Sequence, residues 1–166
     1  MREQFQTAAE GVGAVVKRFV NRGDAVAYAL AIANGSLAAS HLPPDLREIF
    51  SGTPLEEGAA LKDTRACVSF ARAGIAATGS LLLELSDPAD RSATALPPIH
   101  LAFLQASKIV PDIYALADTI AGSLAAPGNV YLSLTTGPSR TADIERVLTI
   151  GVHGPKELHI LGLEGE

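Results

Sequence analysis

The residues best suited to chemistry lie in two Gly-Pro turns in the last third of the chain. The first reads Thr135-Thr136-Gly137-Pro138-Ser139-Arg140-Thr141 and runs on into Ala142-Asp143-Ile144-Glu145. Gly137 permits a tight bend, while Ser139 and Thr141 bring hydroxyls. If a helix starts here, Thr141 accepts a backbone N–H as its N-cap, and the remaining amides favour an anion. Arg140 is then a clamp for a carboxylate or a phosphate. Against a phosphate stand Asp143 and Glu145, which would occupy the first helical turn and already complement its dipole. The same residues also make a well-capped structural turn, and chemistry alone leaves both readings open.

The second turn, Gly151-Val152-His153-Gly154-Pro155-Lys156-Glu157, offers an imidazole that titrates near neutral pH and, close by, an ammonium. His153 is the candidate catalytic acid or base, although a lone loop histidine is more often structural or simply exposed. A third segment, Gly74-Ile75-Ala76-Ala77-Thr78-Gly79-Ser80, places two glycines and two hydroxyls before an apolar run. Thr78, Gly79 and Ser80 can bring backbone close to a ligand, or can form a packing turn that needs small residues. His100, in Pro97-Pro98-Ile99-His100, stands at a strand start, where it either joins a site or caps the sheet. His159 alternates with Leu158 and Ile160 and therefore faces away from them. No two histidines have helical metal spacing, so no metal site is expected. Neither a nucleophile elbow, a phosphate-binding loop nor a dinucleotide fingerprint is present.

Alternating strands and helices position these turns. The pattern predicts a helix over Arg2 to Val12, a strand over Ala14 to Val20, and a helix from an Asp24 cap to Asn34-Gly35. A short strand at Leu37 to Ala39 precedes a helix opened by Pro43-Pro44-Asp45 and running through Phe50. Leu55 to Asp63 reads as a loop or short helix, Ala66 to Phe70 as a buried strand, and Ala71 to Ala77 as a helical or turn segment. Leu81 to Leu85 is a strand, Ser86 to Pro98 a surface loop, and Ile99 to Leu104 a strand. A helix over Pro111 to Ala121, strands at Val130 to Leu134 and Leu158 to Leu163, and a helix over Ala142 to Ile150 complete the pattern. Without tandem hairpin signals this is one α/β domain over residues 1–166, its largely parallel sheet flanked by helices. Ligands in such folds sit beyond the carboxyl ends of the strands.

Composition narrows the partners. The chain has 166 residues, 48% hydrophobic and 19% charged, which suits a globular core. A net charge of −5 with 13 scattered Lys and Arg argues against nucleic acid. The longest apolar run, Ala25 to Ala33, is too short to span a membrane, and no leader pattern opens the chain, so a cytoplasmic location is expected. A single cysteine, Cys67, cannot form an intrachain disulfide or bind a cluster within this chain, and its apolar context predicts a buried, inert thiol.

The stretches Gly74 to Leu82, Leu96-Pro97-Pro98-Ile99-His100, Lys108-Ile109-Val110-Pro111, Thr136 to Glu145 and Gly151 to Leu161 together resemble the LutC/YkgG family of lactate utilisation proteins, which carry the LUD domain. The paired blocks Gly-Pro-Ser-Arg-Thr-Ala-Asp-Ile-Glu and Gly-Val-His-Gly-Pro-Lys-Glu-Leu-His are the specific part of that resemblance, which covers roughly residues 66 to 163. It implies a fold similar to the NagB/RpiA/CoA-transferase-like group, with an N-terminal region shorter than the family's. It also implies a part in a three-component system oxidising L-lactate to pyruvate, with iron–sulfur clusters on partner proteins and no cofactor on this chain. Where the family usually reads Ala-Glu-Thr-Gly-Thr, this chain has Ala76-Ala77-Thr78-Gly79-Ser80, so a carboxylate is missing at Ala77. The competing readings are a free-standing enzyme on a small acyl or phosphorylated metabolite, using Arg140 and His153, and a regulatory or scaffold domain.

Overall fold

A computed structural model describes residues 1–56, 58–142, 148–150 and 153–165. The elements are α1 (Arg2–Gly11), β1 (Val15–Phe19), α2 (Arg22–Ala33), β2 (Leu37–Ala39), α3 (Pro44–Ile49), β3 (Leu55–Glu56), β4 (Ala66–Ala71), β5 (Ala73–Ile75) and β6 (Ser80–Glu84). There follow α4 (Pro88–Ala95), β7 (Ile99–Gln105), β8 (Ile109–Val110), α5 (Ala117–Ala125), β9 (Leu132–Thr135), β10 (Arg140–Ala142), β11 (Leu148–Ile150) and β12 (Glu157–Leu163).

The frame is a six-stranded parallel sheet of order β1-β12-β7-β4-β2-β3. Its central strands β4, β7 and β12 are near-continuous apolar runs because both faces are covered. On one face Val26 and Ala29 of α2, Leu46 of α3 and Phe50 at its C-cap pack over Val68, Leu101, Phe103 and Leu161. On the other, Phe5 and Ala9 of α1 and Leu81 and Leu83 of β6 cover Ala71, Ala102, Leu104 and Ile160. Edge strand β1 carries Lys17 and Arg18, which discourage further strand addition.

A second sheet, β8-β5-β6-β9, lies over that second face, with β6 antiparallel to both β5 and β9. The expected helical or turn segment at Ala71 to Ala77 holds strand β5 at its centre, with the last residue of β4 before it and a turn at Ala76 and Ala77 after it. Ala73 and Ile75 are buried with Leu82 and Leu116, while a Cβ on Gly74 between them would meet Phe5 and Leu104, so successive residues of β5 face opposite sides, as in a pleated strand.

Several boundaries differ from the sequence pattern. Asn21, not Asp24, caps α2: its Oδ1 accepts from the Asp24 amide at 2.9 Å, and its Nδ2 donates to the Asp24 carboxylate at 2.8 Å. Asn34 ends that helix in the left-handed region, at φ 49°. The expected loop over Ser86 to Pro98 contains α4, started by an Asp87 cap and Pro88 at the first helical position. The expected helix over Pro111 to Ala121 begins later, as a 3-10 turn at Tyr114–Leu116 continued by α5. The expected helix over Ala142 to Ile150 is absent at both of its described ends. There, β10 and β11 pair antiparallel, with Arg140 opposite Ile150 and Ala142 opposite Leu148. Leu148-Thr149-Ile150 is rich in β-branched residues that fit a ladder better than a helix.

Candidate functional site

Three of the segments singled out by sequence meet at one end of the molecule. β9 delivers Thr136 to Arg140 at its carboxyl end, and Pro97-Pro98 leads into β7 beside them. The second Gly-Pro turn leads into β12. Backbone bonds tie the turns together: the Ser139 amide donates to the Pro155 carbonyl at 2.8 Å, and the Lys156 amide to the Pro98 carbonyl at 2.7 Å. Between them lies a cleft of about 450 Å³ lined by Thr94, His100, Thr136 to Arg140, His153, Gly154 and Pro155, with Leu85, Leu134 and Leu158 as apolar wall. This corrects the expected position. The cleft opens at the amino ends of β7 and β12 in the parallel sheet, because the turns that build it precede those strands.

His100 forms part of the cleft lining and is only 2% exposed. Its Nε2 lies 2.6 Å from Ser69 Oγ on the neighbouring strand β4. Burial pushes the imidazole down to about 4, so the ring is uncharged at neutral pH. His153 and Arg140, by contrast, stand exposed at the rim. The Arg140 Nη2 donates to the Val12 carbonyl at 2.6 Å. Val12 is the C-cap of α1, so this cation meets the negative end of a helix and is fixed at the mouth of the cleft.

Gly137 adopts φ +67°, and a Cβ there would lie 2.6 Å from the Val12 carbonyl oxygen. Only glycine lets this turn sit against the end of α1. Ser139 is half-buried in the lining. The backbone of Thr141 lies in β10, so it begins no helix, and the anion site expected from a helix N-terminus here does not form. Asp143 and Glu145 lie outside the described residues.

Thr78, Gly79 and Ser80 sit behind the cleft rather than in it. Thr78 Oγ1, Ser80 Oγ and Thr136 Oγ1 form a chain of hydroxyls, each contact 2.7 Å, that ends at the lining. Gly79, at φ +67°, lets the turn touch α1: a Cβ there would stand 2.2 Å from the Ala9 amide nitrogen. Lys156 is exposed and does not line the cleft.

Ser69 and Thr94 were missed by sequence reasoning. Ser69 carried one faint signal, a hydroxyl two residues from Cys67 in an apolar strand and therefore on the same face. Thr94 fell in the stretch read as loop. Cys67 is fully buried, and burial pushes its thiol up, as expected of an inert core cysteine. His159 does face away from Leu158 and Ile160, with Nδ1 2.8 Å from the Tyr28 hydroxyl and Nε2 3.0 Å from the Glu157 carboxylate.

A larger hollow of about 590 Å³ lies between Ser86, Arg91 and Tyr131. There Arg91 donates to the Leu85 and Ser86 carbonyls, and its guanidinium lies 5.0 Å from the centre of the Tyr131 ring. Among the described residues no group of three or more His, Cys, Asp or Glu could hold a metal ion. No described helix is long and apolar enough to cross a membrane.

The LUD domain profile matches residues 55–162, a span that contains the whole cleft. The chain belongs to the LUD domain family. It is 36% identical over 97 residues to lactate utilization protein C of Bacillus subtilis, a match covering 57% of this chain and 40% of that protein. It is 38% identical over 96 residues to an uncharacterized protein of Neisseria meningitidis serogroup B, again 57% of this chain and 40% of the relative. The YkgG protein of Escherichia coli is 32% identical over 99 residues, 58% of this chain and 43% of its own length. The matches thus span about two fifths of these relatives. The fold is shared with a crystal structure of a DUF162 family protein from Deinococcus radiodurans, at a TM-score of 0.68 and 21% identity, over 98% of this chain and 95% of that one. The LUD match begins at residue 55, earlier than the resemblance read from motifs.

Proposed function

We propose that this chain serves lactate utilisation, as a component of a multi-protein L-lactate oxidation system that binds a small carboxylate and carries no redox centre of its own. The observation behind this reading is the cleft, where a cation at the rim, Arg140, stands over a polar but uncharged floor at His100. Its volume of about 450 Å³ has room for a small acid and more. A rim cation over a buried neutral floor favours one carboxylate near the surface over a polyanion carried deep inside.

Oxidation of a 2-hydroxy acid to a 2-oxo acid releases two electrons. The single cysteine of this chain cannot ligate an iron–sulfur cluster alone, so partner proteins with cluster-binding cysteines would accept those electrons. The naming of the Bacillus subtilis relative supports the pathway. The test is turnover of L-lactate with an artificial electron acceptor, by the purified chain alone and after addition of cysteine-rich iron–sulfur partners. The expected result is no turnover alone and turnover in the mixture. Sustained turnover by the isolated chain would overturn the assignment.

A further inference from the structure

The floor of the cleft has a hydrogen-bond order that the sequence did not reveal. Ser69 is 1% exposed, and its hydroxyl has one hydrogen to place. Among the described residues its partner is His100 Nε2, at 2.6 Å. If Nε2 carried the ring hydrogen and donated it to Ser69, the buried serine hydrogen would have no acceptor there. An orphaned buried donor is costly. With the serine as donor, Nε2 accepts and the ring hydrogen of the neutral imidazole moves to Nδ1.

Nδ1 has somewhere to send it. Among the described residues the hydrogen bond of the His100 ring is to Ser69, on Nε2, which leaves Nδ1 for a ligand. His100 is enclosed by the fold and lines the cleft, so a molecule bound in the cleft is the acceptor this ring can reach. Sheet register agrees: His100 lies opposite Cys67 and Ser69 opposite Ala102, so the serine lies further along the strands, away from the amino ends where the cleft opens.

We infer that Ser69 holds His100 as the Nδ1–H tautomer, and that this N–H donates to an uncharged oxygen, a carbonyl or a hydroxyl, of the molecule bound in the cleft. The inference rests on the carboxylate-binding reading above and extends it. Arg140 takes the charged end of the ligand, and His100 reads an uncharged oxygen elsewhere on it, selecting 2-oxo and 2-hydroxy acids over simple fatty acids. Ser69 is a positioning residue that acts through the ring. A site built to hydrogen-bond a ligand oxygen rejects the analogue lacking it, because its buried donor is then left unpaired.

Two measurements on the full chain test this. Long-range 15N–1H correlation of the histidines, with the His100 signals assigned by their loss in His100→Gln, should show protonated Nδ1 and bare Nε2 from pH 6 to 8. In Ser69→Ala the ring should relax to a mixture of tautomers. A protonated Nε2 in the native chain would overturn the inference, and because no ligand is needed this result decides it whether or not an acid binds. Calorimetric titration should then show pyruvate binding about tenfold or more tighter than propionate, with Ser69→Ala narrowing the ratio. Equal binding of the two acids would overturn the donor role and leave the carboxylate reading standing. Binding of neither would overturn the carboxylate reading.

Discussion

His100 couples the chemistry of the cleft to the stability of the fold. The unfolded chain protonates this imidazole near its ordinary 6.5, whereas the folded chain holds it neutral down to about 4. Between those values the unfolded state binds a proton that the folded state refuses. The contribution of His100 to stability therefore falls as pH drops from about 6.5 to about 4, and is level below that. The full difference is on the order of 3 kcal/mol. Its buried neighbour Cys67 adds nothing to this slope, because burial keeps that thiol protonated throughout. Denaturant unfolding should show the native chain losing more stability than His100→Gln between pH 7 and pH 4, and equal losses would remove this account of the slope. At the rim the expectations divide. His153→Ala should leave stability within about 0.5 kcal/mol because the side chain is exposed. Arg140→Ala should cost about 1 kcal/mol through the lost bond to Val12 and weaken propionate binding roughly tenfold. Unchanged propionate affinity would leave Arg140 with its capping role alone.

At the scale of elements, α1 organises the site from behind. Its backbone meets Gly79, its C-cap carbonyl meets Gly137, and the same carbonyl accepts from Arg140. Gly79→Ala would place a Cβ against the backbone of Ala8 and Ala9 at a positive φ. A loss of roughly 2–4 kcal/mol is expected, readable as a lowered unfolding midpoint. A shift under about 0.5 kcal/mol would show that α1 moves aside freely. The central strands of the parallel sheet were legible because each is a compact apolar run, as in Ala66 to Phe70 and Ile99 to Leu104, whereas β3, the pair Leu55–Glu56 in a stretch read as a loop or short helix, was not. The strand at Ala73–Ile75 was not, since an Ala-Gly-Ile triplet carries no periodicity. α4 stayed hidden because only Ala93 and Thr94 of its eight residues are buried. The two turns at Gly137 and Gly154 drew notice because their side chains advertise chemistry, and both line the cleft. Ser69, which orders the floor, drew no notice, because one hydroxyl in a buried strand advertises nothing.

For the whole molecule, the cleft exists because two sheets are stacked. The parallel sheet supplies His100 and Ser69, the second sheet supplies the Thr136 to Arg140 turn, and only their packing through Leu81, Leu83, Leu158 and Ile160 brings charge and neutral donor together. A parallel sheet alone would have placed a ligand at the opposite, carboxyl end. The family match contains every lining residue, so the site belongs to the part of the chain that defines membership. The most direct test of a carboxylate cleft is a 15N–1H correlation titration of the full chain with L-lactate. Saturable shifts confined to Thr136 to Arg140, His153 to Lys156 and the His100 strand start are expected. Shifts centred on Arg91 and Tyr131, or no shift at saturating lactate, would contradict a carboxylate cleft.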